Sequence, residues 1–373
     1  MRTSRLIPFS ILVTLALLLS SCVGGTGTAT SWPGLTVDAK NQVGYLAYNE
    51  QVYAINLKDG KEIWKYPPKT DSKLTFFAPP VLTPDGQLLV AGYDNAIHSL
   101  NSANGQENQG NWPFRNATDR YVAAPLIAGD KIFAPNSNGT LYALDLTGKQ
   151  LWTFHTTEPL WATPATDGKV IYLPSMDHHV YALDPQSGKV IWQSQDLGGA
   201  VVGTPTIGPD GNLYVGSFGR QMTAIDPQNG DTIWDKPTTG WIWSSPTLDQ
   251  GVLFFGDLDG AFYAMSAADG TISWQTPPAA NAGNSIPDRP LVISDTVYYD
   301  SESGTLFAAS VANGNPKSIL QVDGKLYASP QAIGDLILLT PVGKGPLLLA
   351  IDRNGTQVWA YPPEAQPTST PGS

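Results

Sequence analysis

The chain has 373 residues, of which only 14% are charged and 10% are aromatic, and it contains 37 Gly and 31 Pro. Such a composition is typical of short strands joined by many turns, with little helix. The formal net charge is -11, and an acidic surface argues against nucleic acid as a partner. The single cysteine excludes an internal disulfide.

Residues 1–21 are predicted to form a lipoprotein signal peptide. Two arginines form its charged start, and the apolar stretch over 11–19 is too short to span a membrane comfortably. The stretch Leu19-Ser20-Ser21-Cys22 resembles the bacterial lipobox, in which the cysteine is acylated and becomes the first mature residue. We therefore expect an extracytoplasmic protein that Cys22 anchors to the membrane by lipid, with an ordinary signal peptide as the alternative. The anchoring membrane would be the outer one where the cell has one, and otherwise the outer face of the cytoplasmic membrane.

The remaining chain divides into a tether, one large domain and a tail. Residues 22–31 are rich in Gly and Thr and are predicted to be a flexible tether. Residues 362–373 are rich in Pro, Ser and Thr, have almost nothing to bury, and are predicted to be disordered. Everything between, residues 32–361, is predicted to be a single domain.

An internal repeat of about forty residues fixes the architecture of that domain. The stretch 246–274 shows the unit: four short apolar segments joined by three turns, the first opened by Pro246. A small residue, an apolar residue and a turn-forming residue mark each of eight copies, beginning at Ala54, Ser99, Ala143, Ala182, Ala224, Ala264, Ala308 and Ala350. A Gly follows each marker, and in six copies a Trp stands four residues beyond that Gly: Trp64, Trp152, Trp192, Trp234, Trp274 and Trp359.

These positions have structural explanations. The turn Gly supplies a positive φ that other residues resist. The Trp offers a large apolar face and one N–H donor, which suits it to docking one sheet against the next. Radial repetition of four-stranded antiparallel sheets predicts an all-β fold, an eight-bladed β-propeller, with seven blades as the alternative if one repeat is degenerate. We expect a monomeric ring that closes by blade-to-blade packing or by a strand exchanged between the termini.

The pattern of Ala-Leu-Asp, Gly and Trp resembles the repeat of the pyrroloquinoline-quinone (PQQ) enzymes, and the resemblance covers nearly all of residues 32–361. That superfamily includes quinoprotein alcohol dehydrogenases and the non-enzymatic lipoprotein family of outer-membrane β-barrel assembly, BamB. A lipobox, a Gly/Thr tether and one propeller are similar to the BamB layout. The resemblance implies a membrane-anchored, non-catalytic scaffold that binds other proteins outside the cytoplasm, with barrel-protein assembly as its setting.

The alternative implied by the same resemblance is a PQQ-dependent dehydrogenase. Those enzymes are considerably longer, and the large alcohol dehydrogenases carry two adjacent cysteines over the cofactor, together with Glu, Asn and Asp around a calcium ion. This chain has one cysteine, and no such carboxylate set can be assigned. We expect no cofactor, and PQQ with calcium only under the enzyme alternative.

Repeat topology indicates which surface would bind a partner. In each blade the innermost strand starts at a Pro, so the segment before it lies at the same end as the second turn of that blade. These segments are rich in aromatic residues with scattered Arg, a composition typical of protein-binding hot spots. The partner-binding candidates are Phe77, Arg120, Tyr121, Trp161, Trp241, Trp243, Arg289 and Tyr327. The alternatives are that many of these rings pack between blades, or that the axial channel binds a small molecule or glycan.

No metal site is predicted. His178 and His179 are adjacent and would point to opposite faces of an extended segment, while His98 and His155 lie in other repeats. The stretch Asp257-Leu258-Asp259-Gly260 is similar to the start of a calcium loop but lacks the later ligands, so a hairpin turn is favoured.

Overall fold

The computed structural model describes residues 32–277 and 284–363. All of its regular elements are β-strands, numbered β1 to β33 in chain order. The predicted signal peptide, the tether with Cys22 and residues 364–373 of the predicted tail lie outside the described residues.

The first four sheets contain β1 to β15. Blade 1 consists of β1 (Gly34–Asp38), β2 (Val43–Tyr48), β3 (Gln51–Asn56) and β4 (Glu62–Tyr66). Blade 2 consists of β5 (Val81–Leu82), β6 (Gln87–Ala91) and β7 (Ile97–Asn101). Blade 3 consists of β8 (Leu126–Ala128), β9 (Lys131–Pro135), β10 (Thr140–Asp145) and β11 (Gln150–His155). Blade 4 consists of β12 (Ala165–Thr166), β13 (Ile171–Pro174), β14 (Val180–Leu183) and β15 (Val190–Gln193).

The other four sheets follow the same plan. Blade 5 consists of β16 (Thr206–Ile207), β17 (Leu213–Ser217), β18 (Gln221–Ile225) and β19 (Thr232–Pro237). Blade 6 consists of β20 (Thr247–Asp249), β21 (Val252–Gly256), β22 (Phe262–Ser266) and β23 (Ile272–Gln275). Blade 7 consists of β24 (Leu291–Ile293), β25 (Thr296–Asp300), β26 (Thr305–Ser310) and β27 (Pro316–Gln321). Blade 8 consists of β29 (Gln331–Ile333), β30 (Leu336–Leu339), β32 (Leu348–Ile351) and β33 (Gln357–Tyr361), and the short strands β28 (Gly324–Lys325) and β31 (Val342–Gly343) pair beside it.

The eight-bladed β-propeller is thus confirmed, and eight rather than seven blades form the ring. Neighbouring strands in every blade are antiparallel and follow chain order, with the first strand innermost, as contacts of β1 with β5, β12 with β16 and β20 with β24 show. The second and third strands of the blades are mostly buried, with β26 of blade 7 the least so, because both faces of a blade are covered by its neighbours. The core is therefore a series of inter-blade layers arranged around the axis.

The ring closes by packing of blade 8 against blade 1. The innermost strands β29 and β1 contact each other, and the sheet of each of these two blades comes from its own stretch of chain. Tyr361 donates a hydrogen bond to Glu62, and the rings of Tyr53 and Tyr361 lie 5.6 Å apart. Of the two predicted modes of closure, the structure therefore shows blade-to-blade packing.

Blade 2 departs from the common plan at its outer edge. In place of a fourth strand, isolated bridges join Leu100 to Glu107 and Ile97 to Phe114. A buried ionic network occupies this region: His98, 2% exposed, contacts Asp94 at 3.1 Å through Nε2 and Glu107 at 2.6 Å through Nδ1. Backbone bonds such as the pair between Ile97 and Phe114 therefore hold this edge together with the side-chain network.

Candidate partner-binding face

One end of the propeller collects the segments that lead into the innermost strands; we term them leading segments. In blades 2 to 7, the leading segment is bonded to the second turn of the same blade, as in Ser137 N to Arg120 O at 3.1 Å and Leu258 N to Trp241 O at 2.9 Å. The predicted proximity of leading segments and second turns is confirmed by these bonds. We call this end, formed by the leading segments and second turns, the mouth face.

Aromatic rings on the mouth face form two groups. Phe77 and Tyr93 stack at a centroid distance of 3.9 Å with an interplanar angle of 9°. Phe218 stacks on Trp241 at 5.2 Å and contacts Trp243 at 5.6 Å. The first group belongs to blade 2, and the second spans blades 5 and 6.

Trp32 joins these groups across the axis of the ring. Its ring lies 6.0 Å from Phe77, 5.6 Å from Trp243 and 5.6 Å from Tyr327. The three contacted residues lead into blades 2, 6 and 8, and blades 2 and 6 stand opposite each other in a ring of eight. A side chain that touches both therefore lies over the axis, at the centre of the mouth face.

Local packing explains why Trp241 and Trp243 project toward the mouth. Ile242, between them, is fully buried and packs against Gly216. A Cβ added to Gly216 would lie only 2.2 Å from a side-chain carbon of Ile242. Successive side chains of an extended segment alternate in direction. Burial of Ile242 against Gly216 therefore turns the two neighbouring indoles the other way, where they remain half-buried.

Charged groups border the rings. The guanidinium of Arg120 lies 4.9 Å from the centroid of Tyr93, a cation–π contact. Lys325 lies 5.5 Å from the Tyr327 ring and 2.6 Å from Glu302, which also accepts from the Tyr327 hydroxyl at 3.0 Å. Although burial raises the pKa of Glu302, hydrogen bonds from Lys325 and Ser285 hold it below its ordinary value.

Two aspartates near this face are in surroundings that disfavour the charged form of the carboxylate. Burial raises the pKa of Asp288 to about 6, despite hydrogen bonds from Ser329 and from the Arg289 backbone. Burial and the nearby Asp288 carboxylate raise the pKa of Asp300 well above its ordinary value. Asp300 is 2% exposed, and its Oδ2 has no hydrogen-bond partner among the described residues.

The predicted partner-binding residues divide into three sets. Phe77, Trp241, Trp243 and Tyr327 lie in the aromatic groups described above, with Arg120 beside them. Trp161 is half-buried and donates from Nε1 to Ser137 Oγ at 3.1 Å, and Arg289 is exposed beside Thr247. The prediction for Tyr121 is wrong.

Tyr121 is fully buried and packs in the apolar layer between blades 2 and 3, with Trp112, Phe114 and Tyr142. Its neighbour Arg120 is exposed. Adjacent residues of the leading segment point in opposite directions, so only one of the pair reaches the mouth. A partner at this face therefore meets Arg120 and not Tyr121.

The tryptophans predicted to dock blades lie at the outer rim, away from the mouth. The rim pairs place each indole against the turn glycine of the next blade: Trp64 with Gly105, Trp152 with Gly188, Trp192 with Gly230, Trp234 with Gly270, Trp274 with Gly314 and Trp359 with Gly60. Five of these indoles donate from Nε1 to a carbonyl of the same turn at 2.8–3.3 Å. Trp359 Nε1 has no acceptor among the described residues.

Sequence reasoning missed Trp32, although a signal was present. Each other innermost strand follows a Pro preceded by a leading segment with an aromatic or apolar residue, and Trp32-Pro33 stands in the same place before β1. Sequence reasoning also missed Trp112, which lies against Gly148 and fills the rim position between blades 2 and 3. The long segment before Trp112 conceals its equivalence to the other rim tryptophans.

The described residues offer little for metal chemistry. Within residues 32–277 and 284–363, no three His, Cys, Asp or Glu side chains are grouped so that they could hold a metal ion. Asp257 is fully buried and its carboxylate accepts hydrogen bonds from Thr239, Gly240, Asp259, Ala261 and Tyr263. Its role in this structure is therefore to hold a turn. The same residues include no helix long and apolar enough to cross a membrane.

The family model described as outer membrane protein assembly factor BamB matches residues 48–198 and 176–325. The chain belongs to this family. The family resemblance read from the repeat is thereby confirmed.

Individual relatives show how far this similarity extends. The chain is 35% identical over 208 residues to the outer membrane protein assembly factor BamB of Vibrio cholerae, covering 51% of this chain and 52% of that protein. It is 40% identical over 73 residues to the lanthanide-dependent methanol dehydrogenase of Methylacidiphilum fumariolicum, covering 19% of this chain and 12% of the enzyme. The chain thus spans about half of the first relative's length and a small part of the second. The crystal structure of BamB from Moraxella catarrhalis has the same fold, with a TM-score of 0.69, 18% identity, and coverage of 83% of this chain and 93% of that one.

Proposed function

We propose that the chain is a membrane-anchored, non-catalytic docking platform for other proteins outside the cytoplasm, and that its setting is outer-membrane β-barrel assembly. The observation that carries this proposal is the group of half-buried rings on the mouth face, with Arg120 exposed over the ring of Tyr93. Aromatic and Arg side chains are the residues most enriched at the centres of protein interfaces. Membership in the BamB family supports the setting.

Capture from native membranes tests the platform. The chain carrying both Trp241→Ala and Trp243→Ala should lose the partner proteins that the wild type retains after cross-linking. Removal of one hot-spot ring costs about 2 kcal/mol or more, roughly a thirtyfold loss of affinity. Ile233→Ala is the matched control, because Ile233 is an exposed apolar residue of β19 at the outer rim, 46% exposed.

Two conditions make the result decisive. Both variants must remain fully folded at the temperature of the capture experiment, so that lost capture reflects a lost surface. Equal capture by the double variant and by the wild type would contradict the assignment of the platform to the mouth face.

The lipid anchor has a test of its own. Cys22→Ala should move the chain from the membrane fraction to the soluble fraction, and the wild type should carry a diacylglyceryl-type mass on its first mature residue. Retention of the Cys22→Ala variant in the membrane fraction would contradict anchoring through Cys22.

The enzyme alternative is favoured by the partial match to a methanol dehydrogenase. The single cysteine cannot supply the adjacent pair that lies over the cofactor in the large alcohol dehydrogenases, and no set of Glu, Asn and Asp for a calcium ion can be assigned in the sequence. We therefore propose that the chain needs no cofactor. Purified protein supplied with PQQ and calcium should gain no protein-bound quinone absorbance and should not reduce a dye with alcohols; either signal would overturn the non-catalytic proposal.

A further inference from the structure

The mouth face already holds one aromatic side chain, that of Trp32. Its ring is stacked on Tyr327 at an interplanar angle of 29° and meets Trp243 edge-on at 76° and Phe77 edge-on at 68°. We call these three residues, Phe77, Trp243 and Tyr327, the indole seat. Stacked and edge-to-face geometries are those that aromatic rings prefer, and each pair contributes about 0.5–1.5 kcal/mol beyond burial. The seat therefore matches an indole in geometry as well as in polarity.

Rings of three different blades build this seat, and packing beneath them holds it in place. Tyr327 is fixed through its hydroxyl by Glu302, and Lys325 lies over its ring at 5.5 Å from the centroid. Phe77 is fixed by stacking on Tyr93. Trp243 follows Ile242, which is buried against Gly216. Because each ring has its own support, the seat should persist when Trp32 is absent.

Trp32 itself is held more loosely than the rim tryptophans. It is half-buried, and its described ring contacts are with Phe77, Trp243 and Tyr327. By contrast, Trp192 at the rim is 7% exposed and donates to Pro227 O at 2.8 Å. Trp32 also belongs to the short segment before β1. The covalent chain therefore holds its side chain close to the axis. Its contacts are therefore of the kind that another ring could replace.

We infer that the indole seat is a binding site for one aromatic side chain carried on an extended peptide segment, that Trp32 fills it in cis, and that a partner's aromatic residue fills it in trans. This inference rests on the proposed platform function and names the chemistry of its partner. A tethered occupant acts at an effective concentration of the order of millimolar and lowers the apparent affinity of any competitor. Trp32 is therefore an internal competitor. It occupies the indole seat until a partner supplies an aromatic side chain that binds the seat more tightly.

A peptide copying residues 28–36 is the probe. It is titrated to millimolar concentration against the wild-type chain and against Trp32→Ala, with binding followed by NMR shifts of the Phe77 and Tyr327 rings. The Trp32→Ala chain should bind this peptide at least tenfold more tightly than the wild type. The same peptide with Ala in place of its Trp should bind neither protein, and Tyr327→Ala added to Trp32→Ala should abolish binding.

Absence of saturable binding to a folded Trp32→Ala chain, or equal affinity for both proteins, would overturn the inference. If Trp32→Ala unfolds, Trp32→Leu replaces it, since Leu keeps apolar bulk but offers no ring. This titration uses no cellular partner. A negative result here with positive capture by the wild type would leave the platform standing and remove only the indole seat, whereas failed capture would remove the platform itself.

Discussion

At the rim of the ring, five tryptophans each meet a glycine and a carbonyl of the next blade, whereas at the mouth Trp32, Trp241 and Trp243 meet other aromatic rings. Trp192 shows the first case: its ring lies on the turn at Gly230, and its Nε1 donates to Pro227 O. Trp243 shows the second, with Trp32 and Phe218 as its ring contacts and a partly exposed surface. The same residue type therefore stabilises the fold in one place and remains available for binding in the other. The difference lies in what surrounds the ring.

The largest expected effect separates rim from mouth by stability. Trp192→Ala should lower the free energy of unfolding by about 3–5 kcal/mol, because it removes a large buried ring and leaves a cavity. Trp243→Ala should cost less, about 1–3 kcal/mol, since it removes two aromatic pairs at a partly open surface. Chemical denaturation measures both. Comparable losses in the two variants would break the distinction between rim and mouth.

A gain in stability is expected near the mouth. The folded-state pKa of Asp300 lies above its unfolded value, so its carboxylate opposes folding increasingly as pH rises above about 3.9. Asp300→Asn removes the buried charge and should therefore stabilise the chain at pH 7, by about 1.4 kcal/mol for each unit by which the folded-state pKa is raised. Denaturation midpoints at pH 3 and pH 7 test this. A variant less stable than the wild type at pH 7 would show that Asp300 contributes to the fold.

At the outer edge of blade 2, the ionic network around His98 should make the stability of the chain depend on pH. Although burial lowers the pKa of His98, hydrogen bonds to Asp94 and Glu107 raise it above its ordinary value. Its contribution to stability is then complete below about pH 6.5 and is lost as pH rises through the folded-state pKa. Hydrogen bonds from His98 and from Arg115 lower the pKa of Asp94 against the opposing effect of burial, so the contribution of this carboxylate is lost as pH falls.

The matching variant is His98→Gln. Between the unfolded and folded pKa values, the wild type should lose up to about 1.4 kcal/mol per pH unit relative to this variant. Urea midpoints of both proteins from pH 5 to pH 9 measure the difference. Parallel profiles would show that the network does not titrate with folding.

The smallest expected difference in stability is between two rim tryptophans. Trp359 lies at the interface of blades 8 and 1, which closes the ring, and Trp192 lies at the interface of blades 4 and 5. Trp192→Phe removes a hydrogen bond to Pro227 and should cost about 1 kcal/mol more than Trp359→Phe. Trp359 has no acceptor for its Nε1 among the described residues, so Phe removes no bond there. Equal losses in the two variants would indicate that Trp359 has an acceptor after all.

Sequence predicted the ring well because the repeat itself is local. The turn glycines and the Trp four residues beyond them fall within one blade, so a linear pattern suffices to find them. The mouth was predicted less completely. Which of Arg120 and Tyr121 faces outward depends on the phase of an irregular segment, and composition does not fix that phase.

Some features could not be predicted from patterns of neighbouring residues in the sequence. Trp32 reaches the mouth centre only because blades 2 and 6 lie across the axis from each other, a relation that the closed ring creates. The network around His98 lies within blade 2, but its members Asp94, Glu107 and Arg115 show no shared motif in the sequence. Both became visible only when the strands were placed in three dimensions.

The central claim is that the mouth, not the rim, contacts partner proteins. A photo-crosslinking side chain placed at Trp241 in living cells, with one at Ile233 of the outer rim for comparison, tests it most directly. The account predicts a discrete protein adduct from position 241 and none from position 233. No adduct at 241, or the same adducts from both positions, would contradict it.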